Sequence, residues 1–180
     1  MKNPVLVVSL ASLLCFTFAC QNKAEKAELE RFRTQAKVEE QNKALVKRWV
    51  EEQDQGNLDK FLEFISPDFL WYDPSNNPNP MSKEETYQFL VEDFKLFKEM
   101  NHRIEEIVAV DDKVIVRYVI HAIHEGEFQG IPVTGKEVKF SGIAIFQIND
   151  GIVTEVREEA DKLGWFQQLG MELKLKEAKK

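Results

Sequence analysis

The chain has 180 residues, with 31 Asp and Glu against 24 Lys and Arg and a formal net charge of −7. Without a basic cluster to neutralise phosphates, that balance sets nucleic-acid binding aside. Two cysteines and three histidines leave little from which to build a disulfide framework or a metal cage.

The first residues, Met1-Lys2-Asn3, carry one positive charge and precede an apolar run from Pro4 to Ala19. That run is shorter than the roughly 20 apolar residues needed to cross a bilayer core, and it has the form of a signal-peptide apolar region. Thr17-Phe18-Ala19 then meets Cys20, after which the chain turns polar. A small residue before a cysteine at this point resembles the bacterial lipobox, with Thr17 standing where leucine is usual. The expectation is export to the bacterial cell envelope, on a periplasmic or outer-membrane face. Residues 1–19 are removed as a signal peptide and Cys20 is lipidated, anchoring the chain to a membrane. Cleavage after Ala19 without lipid is the alternative. Cys15 leaves with the signal, so the mature chain keeps no free thiol and no disulfide.

Residues 20–43 are dominated by Glu, Lys, Gln and Ala and read as a helical or partly helical tether, whose second half could equally begin the first helix of the domain. From Ala44, Leu45 and Trp49 with Val46 and Val50 recur at i,i+4 and give a helix ending near Gly56. Asn57 is placed to cap a short helix carrying Leu58, Phe61, Leu62 and Ile65, which stops at Ser66-Pro67. An extended piece, 69–72, precedes the irregular loop 73–80. Ser82 and Glu85 have capping-box spacing, and behind them Tyr87, Leu90, Val91, Phe94 and Phe97 share one helical face. Strands follow at 103–110, 114–125, 136–148 and 152–159, with Asp150-Gly151 a hairpin signal between the last two. Helices first and an antiparallel meander afterwards argue for an α+β domain over 44–172, with 173–180 a charged tail.

Two segments are more specific. One is His124-Glu125-Gly126-Glu127-Phe128-Gln129-Gly130-Ile131-Pro132-Val133-Thr134-Gly135-Lys136; the other runs from Asp150-Gly151 through Asp161-Lys162-Leu163-Gly164 to Gln168-Leu169-Gly170. Together they resemble the SnoaL-like polyketide cyclase and ester cyclase branch of the NTF2-like superfamily, over roughly residues 44–170. The resemblance implies a cone: a curved antiparallel sheet wrapped around about three N-terminal helices, with a short C-terminal helix and one pocket, commonly as a homodimer. It implies a small, partly apolar ligand or substrate and neither a metal nor an organic cofactor.

The resemblance also supplies the candidate site. Asp161 matches the aspartate that acts as general acid/base in an intramolecular aldol ring closure. Its competing reading is an N-cap for the helix that follows it, and a third is a non-catalytic ligand contact. His124 matches a family histidine and ends an apolar row containing Tyr118, so it is read either as a pocket-rim residue or as a satisfied structural histidine. Gln147 stands where some cyclases carry a histidine and can hydrogen-bond a carbonyl but cannot shuttle a proton. Arg157 replaces a tryptophan, and with Glu155, Glu159 and Asp161 it forms a charged row facing either solvent or the pocket. Trp165 narrows or fills the pocket mouth, or simply packs in the core. His121 and His124, three apart in a strand, point to opposite faces and cannot share a metal. The leading expectation is an acid/base enzyme of cyclase, isomerase or hydrolase type; the alternative is a non-catalytic ligand-binding or interaction lipoprotein on the same fold.

Overall fold

The computed structural model describes residues 4–128 and 130–174, with side chains from Lys23 onward. The side chain of Cys20, and with it the expected lipidation, lies outside the described residues, as does most of the expected tail. Helix α1 (Pro4–Asp54) is continuous, in keeping with the strong helix formers that fill its middle. Residues 1–38 and 39–180 form separate compact units, and the second holds all that follows. Among the described residues no helix is long and apolar enough to cross a membrane.

α1 ends where Gly56 takes a φ of 70°, the left-handed stop that glycine adopts without a Cβ clash. Asn57 then precedes α2 (Leu58–Phe61), but its side chain makes no cap bond and donates back to Glu52 Oε2 at 2.8 Å instead. The helix expected to include Ile65 closes earlier, in a 3-10 turn over Leu62–Phe64. Strand β1 (Ile65–Tyr72) therefore runs through Ser66-Pro67. The β1 register slips between Ile65 and Leu70, so the ladder needs no N–H from Pro67.

After β2 (Met81–Ser82), α3 (Lys83–Leu96) opens with the expected capping box. Glu85 N–H donates to Ser82 Oγ at 3.3 Å and Ser82 N–H donates to Glu85 Oε2 at 2.8 Å. Phe97 is not on this helix; it is the first residue of β3 (Phe97–Val110), six residues ahead of the expected strand start. β4 (Lys113–His124), β5 (Glu137–Asn149), β6 (Ile152–Ala160) and α4 (Lys162–Gln168) complete the chain. At the β5–β6 hairpin Asp150 and Gly151 have φ of 50° and 78°, the pair of left-handed residues that an Asp-Gly turn supplies.

The result is the expected α+β class: a curved six-stranded sheet in the order β2-β1-β6-β5-β4-β3 with four helices. Its neighbours are antiparallel except β1 and β6, which are parallel. Trp49 of α1 keys the helices to the sheet, its ring 4.8 Å from Phe61, 5.0 Å from Phe146 and 5.8 Å from Trp71.

Two strands carry inserted residues that matter for the site. In β3 the register shifts between Lys98 and Asn101, where Glu99 has a φ of 52°, and again between Ile104 and Glu106. In β6, Val153 faces Ile148 and Glu155 faces Gln147, leaving Thr154 as the extra residue. Each insertion exchanges the inward and outward faces of the strand beyond it.

Candidate active site

A cavity of about 390 Å³ lies between the helices and the sheet, within the range that holds a small organic ligand. α1 contributes Trp49, Val50 and Gln53, one helical face; α3 contributes Phe89, Glu92, Asp93 and Leu96. The inward rows of β4 (Val116, Tyr118, Ile120, Ala122) and β5 (Phe140, Ala144, Phe146) form the floor. Phe128, Trp165 and Phe166 close one end, with Phe128 stacked 5.7 Å from Phe166 and Trp165 edge-on to Phe97 at 5.5 Å.

Into this apolar wall project four groups that can exchange protons. Glu158, inward on β6 between Val156 and Ala160, lies opposite Ala144 of β5. Its Oε2 accepts from Trp71 Nε1 at 2.9 Å and its Oε1 accepts from the Tyr118 hydroxyl. Burial pushes its pKa up, against the lowering effect of the Tyr118 hydrogen bond. Burial, then the Glu158 charge, raises the Tyr118 phenol as well. Asp93 has its pKa pushed up to about 7, first by burial. The charge of His102 opposes that shift, and those of Glu158 and Asp73 reinforce it. The fourth group is His102, on β3 just beyond the first insertion, with its ring 5.6 Å from that of Tyr118. Asp73, at the end of β1, also lines the cavity but is paired with Lys162 Nζ at 2.7 Å.

The expected site residues fall in three places. Tyr118 and Trp165 line the cavity. His124 is fully buried beyond it, Nδ1 3.0 Å from Thr134 Oγ1 and Nε2 without a hydrogen-bond partner. That bond, with Gly135 N–H donating to the His124 carbonyl at 3.0 Å, ties down the 125–135 connection. Gln147, Glu155 and Arg157 lie on the other face of the sheet. Gln147 takes a hydrogen bond from Lys113 Nζ at 2.7 Å, and Arg157 pairs with Glu155 at 2.7 Å. The Arg157 guanidinium also sits 3.9 Å from the centre of the Tyr72 ring.

Asp161 is not on the cavity wall. It is exposed at the N-terminus of α4, and its Oδ1 accepts from Gly164 N–H at 2.8 Å. Its position follows from the charged row of β6: with Thr154 inserted, residues 155, 157 and 159 point outward and 156, 158 and 160 inward. Glu158 shares the parity of Val156, a fully buried residue, and so lies on the face opposite the charged row of Glu155, Arg157 and Glu159. No sequence signal marks His102 or Asp93, because an unannounced insertion turns the first inward and an ordinary helix face carries the second.

The SnoaL-like polyketide cyclase family matches residues 43–169. The aklanonic acid methyl ester cyclase of Streptomyces peucetius is 30% identical over 129 residues, which is 70% of this chain and 88% of that protein. The enzyme of the same description from Streptomyces sp. strain C5 is 30% identical over 129 residues, 70% of this chain and 80% of that protein. Among solved structures, AclR from Streptomyces galilaeus aligns with a TM-score of 0.68 at 25% identity, covering 73% of this chain and 97% of its own. IdmH from Streptomyces antibioticus aligns with a TM-score of 0.65 at 23% identity, covering 72% and 99%. By matched length, identity and fold together, this chain belongs to the SnoaL-like polyketide cyclase family.

Proposed function

We propose that the cavity performs acid–base chemistry on a small, partly apolar carbonyl compound, with Glu158 as the general base. The observation that carries this is a carboxylate set in an aromatic cavity, held by Tyr118 and Trp71 and shifted upward by burial. A carboxylate with a raised pKa is a stronger base, and its two hydrogen bonds fix its direction without neutralising it. Asp93, protonated in part near neutrality, supplies a carboxyl O–H that can hold the substrate's carbonyl oxygen. Loss of a proton from carbon beside one carbonyl, followed by attack on a second carbonyl in the same molecule, closes a ring and leaves an isomer. This is the reaction type the family resemblance implies, with Glu158 rather than Asp161 in the basic role.

Aklanonic acid methyl ester, the compound named for the two curated relatives, serves as the first probe. The native chain is expected to convert it to a product of unchanged mass and altered retention. Glu158→Gln should slow this on the order of 10²–10⁴-fold, the range for removal of a positioned base. Asp161→Asn keeps a good helix cap and should retain turnover. Full turnover in Glu158→Gln, or its loss in a folded Asp161→Asn, would overturn the assignment. Tight binding of the probe without conversion would favour the non-catalytic ligand-binding reading.

The same proposal keeps the domain at the cell envelope, tethered through residues 20–43 to lipid on Cys20. It also makes the domain a homodimer through the outer sheet face, where Val108, Ile115 and Ile145 lie side by side on three strands and exposed.

A further inference from the structure

The cavity's one histidine is held from behind. His102 Nδ1 lies 2.5 Å from Asp54 Oδ1, and the backbone N–H of the same residue donates to Asp54 Oδ2 at 2.9 Å. Asp54 is the last residue of α1, so one carboxylate clamps both the ring and the backbone of a strand residue onto a helix end. Both oxygens accept, which leaves Nδ1 as the donor. Nδ1 therefore carries the proton, and in the neutral ring Nε2 carries the free lone pair. Nε2 has no protein hydrogen bond and is not among the sealed, unpartnered polar atoms, and His102 lines the cavity. With Nδ1 held by Asp54, Nε2 is the ring nitrogen left to meet a ligand in the cavity.

This arrangement has a cause in the backbone. Phe97 and Met100 are both buried, which strict alternation forbids. The inserted residue at Glu99, with its positive φ, shifts the phase so that Met100, His102 and Ile104 point inward. Without it Asn101 and Arg103 would take the inward positions and His102 would face solvent. Bulges beside active sites commonly re-aim a side chain in this way. The charged and titratable groups that face the ring are Asp54 from α1, Asp93 from α3, Tyr118 from β4 and Glu158 from β6.

We propose that His102 is a second catalytic acid–base residue, with Asp54 as its positioning residue, so that the ring exchanges protons through Nε2 alone. The inference rests on the acid–base reading of the cavity. Glu158 removes the carbon-bound proton, and the C–H electron pair forms the new carbon–carbon bond. The π pair of the attacked carbonyl moves onto its oxygen. Glu158 passes its new proton to the lone pair of Nε2, with Asp54 balancing the imidazolium charge, and Nε2 then gives that proton to the oxygen, so substrate and product are isomers and the protein is restored. A histidine free to turn would present either nitrogen; the Asp54 clamp removes that choice.

The test is a long-range proton–nitrogen NMR spectrum of the ¹⁵N-labelled protein, with His102→Gln used to assign the signal. The wild-type ring is expected as the Nδ1–H tautomer. Asp54→Asn, which sets a donor against one of the two His102 N–H groups, is expected to mix the tautomers. With aklanonic acid methyl ester as probe, Asp54→Asn should lower kcat on the order of 10²–10⁴-fold with KM little changed, as when the carboxylate orienting a catalytic histidine is neutralised. An Nε2–H tautomer in the wild type, or an unmoved tautomer in Asp54→Asn, would overturn the proposal, as would undiminished kcat in His102→Gln. The wild-type spectrum needs no variant to fold and no turnover. A correct tautomer with an inert cavity would thus reject the acid–base reading alone.

Discussion

Asp93 offers a direct measure of how strongly the cavity disfavours charge. In the unfolded chain its carboxyl ionises at about 3.8, and in the folded protein burial holds it up at about 7. The folded state therefore binds the proton more tightly, and stability falls as the pH rises between those two values. That difference corresponds to roughly 4 kcal/mol, present below pH ~4 and lost as the pH rises through ~7. Asp93→Asn keeps the shape and removes the ionisation. Its stability relative to wild type should then rise by about 3 kcal/mol between pH ~5 and pH ~8, because part of the penalty is already felt at the lower value. Urea unfolding of both proteins at a series of pH values gives this difference directly. Glu158 carries a penalty of the same sign, and because its charge also raises Asp93 the measured difference includes the coupling between the two carboxyls. A stability difference independent of pH, or a variant that is weakest relative to wild type at high pH, would refute the argument that burial dominates at Asp93.

Other outcomes follow from packing and from the N-terminus. A Cβ at Gly142 would fall on the hydroxyl and ring of Tyr118, its cross-strand partner. Gly142→Ala should destabilise by about 1–3 kcal/mol through overpacking and lower turnover by moving the Tyr118 hydroxyl off Glu158. Tyr118→Phe should relieve part of the stability loss in a double-mutant cycle in urea, and strict additivity would count against the clash. If Cys20 is lipidated, mass spectrometry of the mature N-terminus should show acyl mass that vanishes in Cys20→Ser; an unchanged mass would refute the anchor.

The parts of the fold that were legible in the sequence share a physical trait: their periodicity is uninterrupted. β4 and β5 pair in unbroken register from Lys113 to Ile123, so alternation placed Val114, Val116, Tyr118 and His124 on the inner face and His121 on the outer one. The capping box of α3 and the Asp150-Gly151 hairpin are local signals that need no tertiary context, and both stand in the structure. The Asp161 motif was visible too, but one residue can serve as a cap or as a wall group. Which it becomes depends on where β6 ends, not on the motif itself.

What stayed hidden is the chemistry, and for a reason that concerns how a polar site is built into an apolar wall. On the regular strand β4 the inward row is apolar around the cavity apart from Tyr118, and its one inward histidine, His124, is buried beyond the cavity wall. β3 and β6 each break the alternation with an inserted residue, and each break stands three or four positions before the group it aims: Glu99 before His102, and Thr154 before Glu158. Asp93 reaches the same space from α3, and Asp54 reaches the back of the His102 ring from the end of α1. Four groups from four elements thus converge only after folding. The irregular backbone that makes the sequence hard to read at these points is what turns polar side chains toward the cavity.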